Sequence, residues 1–514
     1  MRRLFFIIGL CLVAAGSATY LTMPENTSDV PILYWVTDVN PARAKQVELF
    51  HQWMIDQGHV NEDGKPLFEL RMDTSSGSGS KVIVQGVSGV AADILSATIE
   101  YTIPDYEAIG IIEDVTERAK EMGFDLSTTF GAASDLITVN GRQFGYPCNA
   151  GVWSLWANMD RFEALGMQPP PRHWDFDTFE RIGREYVKRA NVPGKRQEKF
   201  YCDSPFGMSR GRMLIAMHRS LGLSRFNETM TRCTIDDPRY IQMLERIYKW
   251  ENVDQLFPSA AEMASLSGES GYGGGTIDLF MRGDYAMACF GRWGLIRVRD
   301  FDDPPRLSVS AFPADRFNNM LIGVRPAAIY AGSKHKDLAV YFLAFLASEP
   351  YNRDIVTSAD ALPANPRFAV GREYTHPADF QNEWGCHEVI LDFAQNISTP
   401  ESISPYVGQN ATWRWQKYCW DVYLGDIMSV EQAVKESTRR IHSEMDLMLD
   451  KSPGLRERYE QDLKLQDKIV QYREQGKPVP LDWIRNPFYR HYYLAQGWAA
   501  VVEPTAAQAH GGER

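Results

Sequence analysis

Five apolar, β-forming residues, Ile32-Leu-Tyr-Trp-Val36, are followed within four positions by Asn40-Pro41, a pair suited to opening a helix. Val47, Phe50 and Met54 then recur at helical spacing. A buried strand that turns into a helix so quickly constrains the chain to layered α/β architecture. It also places Trp35, Thr37 and Asp38 at the carboxyl edge of a sheet, where open α/β folds bind ligands. Trp35 and Asp38 are therefore expected to line a binding cleft whose other walls come from the rest of the chain.

The same alternation continues downstream. Phe68–Met72 reads as a second strand, running into the polar loop Asp73-Thr-Ser-Ser-Gly-Ser-Gly-Ser80 ahead of a helix over Lys81–Val87. That loop lacks the Walker lysine and the full Rossmann spacing, so it reads as a ligand-facing loop, not a phosphate cradle. Ala92–Leu95 forms a third strand, with Ser96–Tyr101 at its carboxyl end. Asn140-Gly141 between two β-forming runs predicts a hairpin over Ser134–Phe144. Further strands are expected over Asp284–Phe290, Leu307–Pro313 and Pro326–Tyr330, with a helix over Lys336–Ala347. Ser429 and Gln432 predict a capping box for a helix reaching Met448. The sum is an α/β fold with largely parallel sheets.

Length and charge narrow the function classes. The chain has 514 residues and a formal net charge of −12. It needs two or more domains, and it lacks the basic stripe that nucleic-acid binding requires. Arg2-Arg3, the apolar run Leu4–Ala15 and Gly16-Ser17-Ala18 have the layout of a secretory signal within residues 1–22, with cleavage after Ala18. An uncleaved anchor over Leu4–Leu21 is the alternative. Six cysteines follow that segment, from Cys148 to Cys419, with no metal-type spacing. Export permits disulfides, and Cys202 with Cys233 is the favoured pair; free buried thiols are the alternative. Most of the 13 Trp and 23 Tyr must be core, and the surplus suits stacking on sugar rings.

A set of short motifs, in order, carries a family resemblance. They are Ile-Leu-Tyr-Trp35, Ala-Ala-Asp93-Ile-Leu, Gly-Arg-Gln-Phe-Gly-Tyr146-Pro147, and Leu-Trp-Ala-Asn158-Met-Asp160 with Trp174-Asp downstream. Leu-Phe-Met-Arg-Gly283-Asp-Tyr-Ala-Met287, Gly291-Arg-Trp293, Ser333–Leu343 and Ala361-Leu-Pro363 complete it. Over residues 30 to 448 the chain resembles bacterial extracellular solute-binding proteins of ABC importers, in the carbohydrate-binding, maltodextrin-binding-like group.

The resemblance implies a two-lobed periplasmic-binding-protein fold with three hinge crossovers, near Tyr146–Gly151, Leu321–Pro326 and Asp360–Pro366. One lobe would comprise 30–148 and 324–362, the other 149–323 and 363–448. Residues 449–514 would be a C-terminal extension outside the pattern, helical to Gln475 and then aromatic. Matching positions imply a ligand site of Trp35, Asp38, Ser76 and Thr98 on one wall and Asn149 and Trp153 at the first crossover. Tyr272, Arg292 and Trp293 would face them, with Trp413 from the C-terminal helices. Ala97-Thr98-Ile99-Glu100 departs from the aromatic and acid that maltodextrin binders carry after the third strand. The resemblance also implies a monomer that takes a sugar, docks on an ABC permease outside the cytoplasm, and needs no cofactor or metal.

There is no H-E-x-x-H and no metal-spaced cluster of Cys and His. Two carboxylates distant in sequence could still cleave a glycan. A secreted glycan-acting enzyme and a binder of a non-sugar solute therefore stay as alternatives.

Overall fold

A computed structural model describes residues 28–75, 79–96, 102–194, 197–202, 209–259, 262 and 274–500. The export segment, Ser76, Thr98 and Tyr272 lie outside the described residues. Strands β1 (Ile32–Val36), β2 (Glu69–Asp73) and β3 (Ile94–Ser96) come first, followed by the hairpin β4 (Thr138–Val139) and β5 (Arg142–Gln143). Asn140 and Gly141 both take positive φ at its turn, as the Asn-Gly pair requires. Then come β6 (Tyr146–Val152), β7 (Ser154–Asn158), β8 (Lys199–Cys202), β9 (Tyr285–Phe290) and β10 (Leu307–Ser310). The series ends with β11 (Met320–Ile329), β12 (Ser398–Thr399), β13 (Val479–Pro480) and β14 (Ala499–Ala500).

Two sheets organise the molecule. The first runs β12-β11-β3-β1-β2, with β6 also paired to β11; the second runs β10-β7-β9-β8. β1 pairs in parallel with β2 and β3, β11 with β12, and β8 with β9. β11 is antiparallel to β3 and β6, and β7 is antiparallel to β9 and β10. The sheets are thus mixed, not largely parallel. The cause is that β6 leaves the first lobe as β11 returns to it, so two strands shared by both lobes run in opposite directions. β11 is correspondingly longer than the strand expected from Pro326; its pairing with β6 slips at Arg325/Pro326, where proline has no N–H to give.

Each lobe buries its own core. On one face of the first sheet Leu33 and Trp35 meet Phe50, Phe68, Phe342 and Phe345. Burying each such phenylalanine contributes on the order of 2 kcal/mol. Val36, Leu95, Ile111 and Tyr330 pack on the other face. The larger core of the second lobe includes Trp156, Phe179, Trp250 and Phe290, with Trp156 stacked on Phe290 at 4.9 Å. Phe130, Ala133, Leu136 and Ile137 join this second core, although they fall within the 30–148 range read as first lobe.

The expected capping box is present: Ser429 and Gln432 close the first turn of the helix Val430–Lys451. Beyond it, helices Pro453–Glu474 and Pro487–Ala495 and the β13–β14 pair form a small aromatic cluster around Ile469, Phe488 and Tyr493. Asn486 and Glu228 fasten that cluster to the second lobe. Asn486 Nδ2 donates to Ser224 Oγ at 3.0 Å and to the Phe226 carbonyl at 2.9 Å. Glu228 accepts from Tyr493 at 2.5 Å and from Gln466 at 2.8 Å. All six cysteines among the described residues are buried free thiols, so the Cys202–Cys233 disulfide is not formed.

Candidate functional site

The two lobes meet where β6 becomes β7, with Trp153 alone between the strands. Its backbone N–H donates to the Leu321 carbonyl of β11 at 3.3 Å, so Trp153, just past the first crossover, is tied to the second. Its ring lies 5.8 Å from that of Trp293, edge to face at 69°. The Arg212 guanidinium covers Trp153 at 3.6 Å from the ring centroid. Trp293 itself is half-buried against the second core.

The glycines around Trp293 are steric requirements. A Cβ on Gly291 would lie 2.8 Å from Trp293 Nε1, and one on Gly294 would lie 2.3 Å from Phe290 Cδ2. Gly-Arg-Trp-Gly is therefore the sequence that lets the indole fold back over the end of β9. Further along the same wall, Trp413 packs edge to face on Trp420 at 5.9 Å and against Gly211, where a Cβ would meet its ring at 2.5 Å. Arg225 lies over Trp413 at 5.3 Å, pairs with the buried Glu401 and donates to Gln416 at 2.7 Å. Residues 211 and 212 of one helix thus touch Trp413 and Trp153 in turn, joining three of the expected aromatics into one wall.

Asp38 and Asn149 are linked through Arg43 and Asp360. Asp38 is 21% exposed at its side chain. Arg43 Nε donates to it at 2.6 Å, and Arg325 Nη1 lies 3.8 Å away. Burial would raise the Asp38 carboxyl, but Arg325 and then Arg43 hold it well below the usual carboxylate range. Asn149 Nδ2 donates to the Asp360 carboxylate and to its carbonyl, each at 3.2 Å.

Two expected contacts are corrected. Trp35 is 0% exposed and packs on Phe342 at 4.8 Å. Strand alternation turns it with Leu33 into the first core, leaving no face for a ligand. Arg292 is 1% exposed, and its donors are consumed by backbone: Ala361 carbonyl at 2.7 Å, Val356 at 2.8 Å and Ile355 at 3.2 Å. Its Nε donates to His387 Nδ1 at 3.1 Å. Arg292 therefore clasps the turn after β9 to the third crossover; it does not face a solute.

Arg43, Arg212, Arg325 and Asp360 were not anticipated. Arg43 carried a signal, because it shares the helical stripe of Val47, Phe50 and Met54, where a charge needs a buried partner. Asp360 carried none, since its partners lie more than 200 residues away. Among the described residues no group of three or more His, Cys, Asp or Glu is arranged to hold a metal ion. No helix among them is long and apolar enough to cross a membrane.

Two α/β lobes joined by three crossovers, with an aromatic wall and a charged floor at the junction, define a clamshell solute-binding fold. The family model of bacterial extracellular solute-binding proteins matches residues 69–353, and the chain belongs to that family. A probable sugar-binding periplasmic protein of Mesorhizobium japonicum is 26% identical over 181 residues, 34% of this chain; the chain spans 40% of that curated relative. An ABC substrate-binding protein from Listeria monocytogenes, solved in complex with cycloalternan, superposes with a TM-score of 0.67 at 20% identity. It covers 81% of this chain and 100% of its own. A solute-binding protein from Thermotoga lettingae bound with α-D-tagatose gives 0.65 at 14% identity, over 81% of this chain and 100% of its own.

Proposed function

We propose that this protein captures a carbohydrate between its two lobes, outside the cytoplasm, and delivers it unchanged to an ABC permease. The observation that carries the reading is the Trp153–Trp293 corner at the lobe crossing, with Trp413 along the same wall. Aromatic faces suit the C–H patches of a sugar ring, and fixed polar groups suit its hydroxyls once water is excluded. Asp38 supplies a partly exposed carboxylate, while the buried Arg212, Arg225 and Asn149 brace the aromatics and Asp360 behind it. The sugar ligands of structurally similar proteins support the same choice. Ser76, Thr98 and Tyr272 stay in the proposed site on the family resemblance. The lobe limits 30–148 with 324–362 and 149–323 with 363–448 stand as part of this proposal, with 130–137 packing across the first boundary.

A thermal-shift screen against mono- and oligosaccharides tests it. A sugar at 100 times its Kd stabilises a binding protein by about 2.7 kcal/mol. The expected result is a reversible rise in Tm with the sugar recovered intact. Product formation on incubation, or no stabilisation across the panel, overturns the reading. Trp293→Ala should weaken the binding sugar about tenfold, since losing one stacked ring costs ~1.4 kcal/mol.

A further inference from the structure

The first and third crossovers meet at one buried carboxylate, and the second joins them through Asp38 and Arg43. Asp360 is 1% exposed, on the third crossover. It accepts from Asn40 Nδ2 at 2.9 Å, from Asn149 Nδ2 of the first crossover at 3.2 Å, and from Arg43 Nη1. Arg43 forks, giving Nη1 to Asp360 and Nε and Nη2 to Asp38. Arg325 of the second crossover donates to Thr37 Oγ1 at 2.8 Å and to Ser96 Oγ at 3.2 Å, and faces Asp38. Two arginines and two aspartates thus close a neutral hub in which Asp38 is the partly exposed member.

The backbone around Asp360 is held away from its preference. Ala359 and Ala361 flank it at φ 60° and φ 65°, the left-handed region that alanine rarely occupies. Such conformations persist only where neighbouring contacts enforce them, and they cluster at sites that switch. Here the enforcement is visible: Arg292 holds the Ala361 carbonyl, and Leu362 exchanges two backbone bonds with Ala150, at 2.7 and 3.0 Å.

We propose that this hub couples occupancy at Asp38 to the hinge. Arg43 is shared between two carboxylates. A solute donor that takes the Asp38 lone pairs strengthens the Arg43 hold on Asp360 and so favours the strained hinge geometry. Loss of that hold lets Ala359 and Ala361 relax and the third crossover move. Asp360 and Arg43 are positioning residues in this scheme, acting on the solute through Asp38. The proposal rests on the reading that the solute lies against Asp38.

The test needs no sugar, so its failure is separate from failure of the carbohydrate reading. The full chain carries one fluorophore on each lobe, through Glu62→Cys and Lys188→Cys, and the interlobe distance distribution is recorded without ligand. Asp38→Asn should at least double the ratio of molecules at the interlobe separation of the structure to those at other separations. Asp360→Asn should at least halve that ratio. Ala361→Gly, which makes the left-handed conformation easy, should move the Asp360→Asn distribution back. Unchanged distributions with only a lowered Tm would overturn the proposal, as would shifts of the same sign for Asp38→Asn and Asp360→Asn. If Asp360→Asn does not fold, Asp38→Asn and Ala361→Gly alone decide: both must raise the ratio, and a null result from either overturns the coupling.

Discussion

Arg292 shows how a single side chain can be misassigned by its neighbours and still be indispensable. Its guanidinium binds two carbonyls at the end of the helix Glu349–Ser358 and the Ala361 carbonyl of the third crossover. Arg292→Met should cost ~3 kcal/mol or more, because orphaned buried acceptors forfeit their solvation; a urea midpoint measures it. Behind it, Glu383 accepts a pair of bonds from Arg299 at 2.8 and 2.7 Å and lies 3.3 Å from His387 Nε2. Burial pushes the His387 imidazole down to about 4, against the pull of Glu383. In the unfolded chain the imidazole titrates near ~6.5. Between those values the unfolded state holds the extra proton, so stability falls as the pH drops from about 6.5 to about 4 and is level below that. The loss is on the order of 3 kcal/mol. Comparing wild type with His387→Asn across that range isolates this contribution, and the variant should show a shallower decline.

At the scale of elements, the turn between β9 and the residues after it is the most exposed to small changes. Gly291→Ala forces a methyl onto Trp293, so the indole must swing off the end of β9. The expected outcome is a shift in tryptophan emission and loss of sugar binding, with Tm lowered by only a few degrees; Gly294→Ala, which strikes Phe290 in the core, should lower Tm more. Much at this scale was legible in the sequence: β1 and its helix, the Asn-Gly hairpin, the Lys336–Ala347 helix and the capping box all follow local rules of pattern and turn chemistry. Of the proposed site residues, Trp153 and Trp293 meet edge to face, Trp413 joins them through Gly211 and Arg212, and Asp38 and Asn149 share the Arg43–Asp360 pair. Trp35 failed because period-two alternation permits either face, and the choice was made by Phe342, three hundred residues away. Sheet direction failed for a related reason: strand order and strand sense are long-range properties that no short window contains.

For the whole molecule, the C-terminal extension is a structural part of the second lobe. Asn486 is fully buried and holds Ser224, Phe226 and Ser402 together, while Phe488 and Tyr492 pack on Phe317. A chain ending at Ser452 should therefore lose several kcal/mol of stability through unsatisfied polar groups and exposed aromatics, seen as a markedly lower Tm than the full chain. Asn486→Ala should reproduce part of that loss, ~1–3 kcal/mol, without removing any apolar surface of the extension.

The socket for that extension is laid down by residues 224–228, and its plug arrives some 260 positions later. A chain made from its N-terminus onward exposes the empty socket from residue 228 to residue 486, about half of its synthesis. Completion of the second lobe is thereby tied to the arrival of Asn486 and Tyr493. A molecule interrupted before Asn486 leaves the polar groups at residues 224–228 without these partners.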